Sequence, residues 1–433
     1  MAMVVKNNMS AVRTLNVLNQ NSSALQKSLT KVASGMKING AQDDAAGYAI
    51  SERMRVRIRS LDQANQNSQN DSSLMKTAEG AVANTIEILK ALKEKAINAA
   101  NDSNTDEDRQ TIQKEVDQFI DQIDDNALVQ FNGKYLVDGS KNNVVSSSKT
   151  ILLNQFLATN TAAGSGLTEL ANRAGDALEI QSTDKYTVSW IINGVTSTTS
   201  GTVGTEVTLE SLLTKAGTYS AQSTTTPSAI GTDKFDVQVY TPDKTSGIAL
   251  IASTEGVSRQ ISGFTISIMD SDGNVKKAAN AALDQFKQYQ RAENQTGDKA
   301  LTFHVGAEAN VAIKVGIGDM RAEALGLKGT TGERILVTTK ENANAAINVI
   351  ENALAKALDQ QTTIGAIEAR LEYTSSNLTT SSENVQASES TIRDADMAKE
   401  MTNYTKNNVL LQSAQAMLAQ ANQNSSAVLS LLQ

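Results

Sequence analysis

The chain has 433 residues, 39 Lys and Arg against 47 Asp and Glu, one His, no Cys and a formal net charge of -8. An acidic balance argues against nucleic acid as a partner, and zero Cys removes disulfides, thiolate catalysis and sulfur-ligated metal together. No run of 18 apolar residues is present to cross a bilayer as a helix, and the length predicts several units rather than one core.

Aromatics make up only 4% of residues, and the two prolines, Pro227 and Pro242, both lie in the middle, so neither end of the chain holds a forced helix break. The opening residues Met1 to Asn8 lack the apolar core and cleavage site of a secretory signal, so export is expected to use another route. Near the start, Ala11, Leu15, Leu18, Ser22, Leu25, Leu29, Val32 and Met36 recur every three or four positions, a heptad seam. Arg53, Arg55, Arg57 and Arg59 alternate along the next helix, which spreads them around it as a solvated or subunit-contacting face.

Gly80 to Ala100 reads as a helix through Val82, Ile86, Leu89, Leu92 and Ala96. After a polar break, Thr105 followed by Asp106, Glu107 and Asp108 predicts a capped start for a helix striped by Ile112, Val116, Phe119 and Ile123. Asn132-Gly133 between apolar residues predicts a tight hairpin, because both turn positions want positive φ. From about Ser140 to Thr296 the Thr, Ser and Gly content rises and the period shortens. Lys185 to Ile192 reads as a strand entering the turn Asn193-Gly194, Phe235, Val237 and Val239 alternate like another strand, and Ala278 to Arg291 reads as a helix. Strand-like segments follow near Leu301 to Ile317, and then a long helical stripe through Ile347, Ile350, Leu354, Ala357, Ile364, Ile367 and Leu371.

Near the end, Leu410, Ala414, Met417, Ala421, Asn424, Val428 and Leu431 repeat the spacing of the first seam. Matching seams at the two ends point to terminal helices that pair with each other. Ordering a residue costs about 1.5 kcal/mol, and only one seam position in three or four returns about 1.5–3 kcal/mol on burial. Neither arm is therefore expected to fold alone, and folding is expected to follow when neighbouring copies cover the stripe.

The chemistry-bearing residues lead to no active site. The single His304 lies in a strand-like stretch and excludes a two-His zinc helix. Gly316-Ile317-Gly318 lacks the third Gly of a dinucleotide loop, since Arg321 stands there. Asp43-Asp44 and Asp394-Ala395-Asp396 lack the oxygen-rich loop of a cation site and read as turns, caps or ion pairs. No cofactor and no metal is expected, and the chain is not expected to be an enzyme.

Ser34 to Gly47 (SGMKINGAQDDAAG), Thr77 to Ala81, Gln130 to Gly133, Ile317 to Met320, Ala322 to Gly326, Ser381 to Asn384, Ile392 to Glu400 and Ala414 to Asn422 resemble the corresponding motifs of bacterial flagellins. The resemblance covers both ends, roughly 1–140 and 295–433, and omits the middle. It implies a mainly α fold with an α+β insertion: terminal coiled-coil helices, a helical rod with a small β-hairpin, and a central, mostly β lobe. The expected divisions are an arm at 1–40, rod halves at 41–140 and 296–400, a lobe at 141–295 and a second arm at 401–433.

The resemblance further implies an exported filament subunit that assembles with copies of itself, with a secretion chaperone on the C-terminal arm and addition beneath a filament cap. In many flagellins an arginine, a leucine and a glutamate contact the flagellin-sensing Toll-like receptor. Ala91, Lys95 and Glu115 fall at those positions, and only the glutamate matches, which implies a weakened contact. Three other readings stay open at this point: a hook–filament junction protein with similar ends, a filament whose lobe is a hydrolase, and a lobe that acts as an adhesin or receptor ligand. The lone histidine argues against the two-His metallopeptidase form of the second.

Overall fold

The computed structural model describes residues 8–162, 164–222, 229–242 and 246–430, with the side chains of 219–222 and 425–430 left aside. In chain order the helices are α1 (Met9–Ser34), α2 (Ala45–Ala99), α3 (Asp106–Ala127), α4 (Leu209–Leu213), α5 (Lys277–Leu283), α6 (Lys340–Arg393) and α7 (Met397–Ser430). The strands are β1 (Gln130–Phe131), β2 (Lys134–Tyr135), β3 (Ile151–Asn154), β4 (Lys185–Ile192), β5 (Val195–Thr202), β6 (Thr218–Gln222), β7 (Gly231–Thr232), β8 (Gln238–Val239), β9 (Gly247–Ile251), β10 (Ile261–Met269), β11 (Lys287–Gln290), β12 (Leu301–His304) and β13 (Ala312–Val315). The described residues fall into two compact units, one comprising those up to 67, 305–311 and those from 373 onward, the other those within 68–304 and 312–372.

In the larger unit, α2 buries Met75, Ala78, Val82, Leu89, Leu92, Ala96 and Ala99, the three-and-four spacing of one helical face. The start of α3 is held as its sequence requires. The Thr105 hydroxyl accepts from the Asp108 N–H at 3.3 Å, and the Asp108 carboxylate accepts from the Thr105 N–H at 3.0 Å. Asn132 and Gly133 take φ values of 49° and 73° between β1 and β2. On α3, buried Gln113 satisfies a passing strand-like segment from both ends of its amide: Nε2 donates to the Ile335 carbonyl at 3.0 Å, and Oε1 accepts from the Val337 N–H at 2.6 Å.

The lobe is built on two antiparallel sheets, ordered β10-β4-β5 and β11-β3-β9-β6. Between them lies an apolar core that includes Leu152, Leu170, Leu212, Phe264 and Leu283, with Phe264 edge-on to Phe286 at 5.1 Å between ring centres. The turn Asn193-Gly194 joins β4 and β5 with φ values of 53° and 75°. A side chain at Gly194 would overlap the Glu333 carbonyl, so this turn sits directly against the 329–333 loop.

Strand β10 lies on α6. A Cβ at Gly263 would stand 2.8 Å from the Ala345 carbonyl, and Asn348 and Asn352 of the helix donate to the Phe264 and Ser262 carbonyls at 3.2 and 2.9 Å. The segment expected as an inserted lobe thus belongs to the same compact unit as the first half of α6.

Two expectations of the middle region change. Only Gln238–Val239 of the alternating Phe235 to Val239 run pairs, in the short β7–β8 hairpin, and Phe235 and Val237 stay exposed at 62% and 59%. The helix expected over Ala278 to Arg291 ends at Leu283, because Lys287–Gln290 instead joins the sheet beside β3. A ladder with a ready partner overrides the helical spacing.

Candidate assembly interface

In the smaller unit, α1 begins at Asn8, whose side-chain oxygen accepts from the Ala11 N–H at 3.1 Å. It ends at Gly35, which takes φ 72° and returns its N–H to the Lys31 carbonyl. Helix α7 is capped by Asp396, which accepts from the N–H groups of Ala398 and Lys399. The two helices pack antiparallel. Asn8 donates to the Ala421 carbonyl at 3.2 Å, Asn21 to the Leu410 carbonyl at 3.2 Å, and Asn407 to the Ser28 hydroxyl at 3.1 Å.

The residues covered by the partner helix run along one side of each helix. On α7, Ala414 and Ala421 are buried, with Tyr404, Asn407, Leu411 and Leu418 half-buried. On α1, Ser28 is buried and Ala11, Leu18, Asn21, Ser22, Leu25, Val32 and the following Met36 are half-buried. Of the seam residues expected from sequence, Ala11, Leu18, Leu25, Val32, Met36, Ala414 and Ala421 therefore lie in the covered rows. Leu15, Leu29, Leu410 and Met417 do not, and remain 41 to 63% exposed on the flank. Val428 falls in α7 where side chains are not described, and Leu431 lies outside the described residues.

Sequence spacing missed Asn21, Ser28 and Asn407, because Asn21 and Ser28 lie one position off the three-and-four step through Ser22 and Leu29, and Asn407 lies before the start of the step at Leu410. Small Ala and Ser side chains let the helices approach, and the amides bond across the seam. Their position three or four residues from the apolar seam was the available signal.

The residues considered for chemistry have structural roles. Asp44 accepts from the Ala46 and Gly47 N–H groups and caps α2, while Asp43 accepts from the Asn39 N–H in a turn. Asp394 accepts from the Ser390 hydroxyl. Gly316 packs where a Cβ would meet Asn143 at 2.4 Å, and the Gly318 N–H bonds the Gln360 side chain at 3.0 Å. His304 closes β12 opposite Ala312. Of the basic row, Arg55 faces Glu52 and Glu389, and Arg57 faces Glu308.

In the larger unit, Ala91 and Lys95 are half-buried on α2, and the Lys95 ammonium forms an ion pair with Glu115 of α3 at 2.5 Å. Among the described residues, no group of three or more His, Cys, Asp or Glu is placed to hold a metal ion, and no helix is long and apolar enough to cross a membrane.

Residues 5–142 match the bacterial flagellin N-terminal helical region, and residues 347–432 match the C-terminal helical region. A flagellin of Clostridium tyrobutyricum is 35% identical over 424 residues, covering 97% of this chain and 99% of that protein. The chain belongs to the bacterial flagellin family. A flagellin of Bacillus subtilis (strain 168) is 31% identical over 450 residues, covering 99% of this chain and 100% of that one. A flagellar filament 33 kDa core protein of Treponema phagedenis is 28% identical over 436 residues, with 99% and 100% covered. The chain is thus a structural subunit of the exported, extracellular flagellar filament, assembling with copies of itself, and it is not an enzyme.

Proposed function

We propose that the paired helices α1 and α7 are the polymerisation element of this flagellin, and that they order fully only when neighbouring copies cover them. The observation that carries this is the flank left open by the pair: Val12, Leu15, Val17 and Leu29 on α1, with Val409, Leu410 and Met417 on α7, are 41 to 63% exposed. Each returns about 1.5–3 kcal/mol only when fully covered, against an ordering cost of about 1–2 kcal/mol per residue for the backbone alone. Pairing within one chain covers one row of each helix, and copies in the filament cover the other. Removing residues 1–36 or 405–433 tests the reading. Seeded filament growth should stop while the helical rod keeps its melting temperature, and normal growth from either truncated chain overturns the assignment.

The same apolar flank of α7 suits a secretion chaperone that shields the arm before export, and arm folding suits addition beneath a filament cap. The inferred divisions place the arms at 1–40 and 401–433, the rod at 41–140 and 296–400, and the lobe at 141–295. At the receptor-facing positions, Glu115 is engaged by Lys95, and Ala91 supplies no guanidinium. Activation of the flagellin-sensing Toll-like receptor is accordingly weak, and reporter cells should respond more strongly to the A91R/K95L variant than to the natural chain.

A further inference from the structure

The linkers that join the arms to the rest of the smaller unit are stitched to one another. Lys37 and Ile38, between α1 and α2, donate their N–H groups to the Arg393 carbonyl at 2.7 and 3.5 Å, and the Ala395 N–H returns to the Gly35 carbonyl at 2.9 Å. Met36 and Asp394 form a bridge between them. Arg393 is the last residue of α6, so its carbonyl is one of the helix-end acceptors with no partner inside the helix, and the opposite linker occupies it.

The side chain of the same residue turns to a third element. It is 8% exposed, donates from Nη1 to the Glu52 carboxylate at 2.7 Å, and lies 5.5 Å over the Tyr48 ring, both in the opening turns of α2. Arg393 Nε is buried without a hydrogen-bond partner among the described residues. The guanidinium is therefore held by one carboxylate and one aromatic face. Ile38, whose N–H joins the Arg393 carbonyl, packs against the start of α2: a Cβ at Gly47 would stand 2.7 Å from Ile38 Cδ1.

We propose that Arg393 is a positioning residue for filament assembly, a pin that ties α6, the α1–α2 linker and the start of α2 into one joint, so that both arms leave it in a single preset direction. This rests on the reading of the arms as the polymerisation element. The backbone stitches and the α1–α7 pairing hold the arms to each other, and the Arg393 side chain adds the tie to α2, without which the paired arms pivot on α2 together. An incoming subunit then loses, at the moment of docking, the orientational freedom that the joint has already removed. The residue acts through the arms and needs no contact with a neighbouring copy.

Arg393→Met keeps the buried volume but removes the charge, Arg393→Lys keeps the charge, and Glu52→Gln leaves Arg393 in place without its partner. The critical concentration for seeded growth should rise about ten-fold in R393M and in E52Q, and stay within about three-fold of the natural chain in R393K. The R393M/E52Q double variant should be no worse than E52Q alone, which removes the Arg393 link and also the carboxylate 3.5 Å from Arg55. A role in packing alone gives the reverse order, with Met at least as good as Lys, and overturns the proposal. So does a critical concentration unchanged in both R393M and E52Q, or additive losses in the double variant. Glu52 is 41% exposed, so E52Q should keep the rod's melting temperature and report on the pin even where R393M disturbs folding. Failure of the pin stays separable from failure of the arm reading, because removing residues 1–36 stops growth whether or not Arg393 matters.

Discussion

At the scale of single residues, the clearest control point is the cap of α3. Thr105 and Asp108 satisfy each other's backbone donors, and three acids sit in the first turn near the positive end of the helix. Replacing Thr105 with Ala should destabilise the rod by about 1 kcal/mol, read as a lower midpoint in denaturant with an unchanged slope. Asp284 acts in the opposite sense. It lines a groove of about 360 Å³ beside α6, with an exposed residue surface but a carboxyl desolvated enough to be pushed up to about 7, despite the Ile266 N–H that it accepts and with Glu351 adding repulsion. An acid whose folded pKa lies above its unfolded value binds its proton more tightly when folded, so its contribution to stability falls as pH rises from about 4 to about 7. Asp284→Asn should therefore melt higher than the natural chain at pH 8 and close to it at pH 4. Equal melting at pH 8 would show that the carboxyl is well solvated.

At the scale of elements, each terminal helix carries two adjacent apolar rows with different partners. Leu418 is half-buried against α1, whereas Met417, one residue and a rotation of about 100° away, is 63% exposed. Leu418→Asp should break both the arm pair and assembly, because the charge stands in the covered row. Met417→Asp should block seeded growth through the outer row alone. Cross-linking between cysteines introduced at Asn21 and Leu410 separates the two cases, since the chain has no native Cys. The link should persist in the Met417 variant and weaken in the Leu418 variant. Equal loss in both would mean that the helices present a single row.

At the scale of the whole molecule, the lobe and the polymerisation element answer to different tests. Residues 150–290 include no part of α1 or α7, so their deletion with the ends rejoined by a short linker should leave seeded growth intact. Deletion also removes β10 from α6, where Val349 and Ala345 are fully buried and Asn348 and Asn352 donate to strand carbonyls. The shortened chain should therefore polymerise but melt at a lower temperature, as exposed apolar surface and unpaired amides replace that contact. A shortened monomer that cannot extend seeds would place the lobe within the filament lattice.

The sequence alone determined what depends on neighbours a few residues away. The cap at Thr105, the turns at Asn132-Gly133 and Asn193-Gly194, the Pro-free helices and the repeating seams are local, because a cap reaches three residues and a turn needs only two positive φ values. The motifs at both ends likewise carried the family resemblance. Tertiary structure decided which row of each seam is covered. Leu410 and Leu411, or Met417 and Leu418, are equally apolar, and only the approach of the other helix turns one inward. It ended the expected helix at Leu283 by offering Lys287–Gln290 a strand partner, and left Phe235 and Val237 without one. It brought Arg393 to Glu52 across 341 positions of sequence, a distance over which no periodicity of either segment carries information, because the pairing exists only once both helices have been placed.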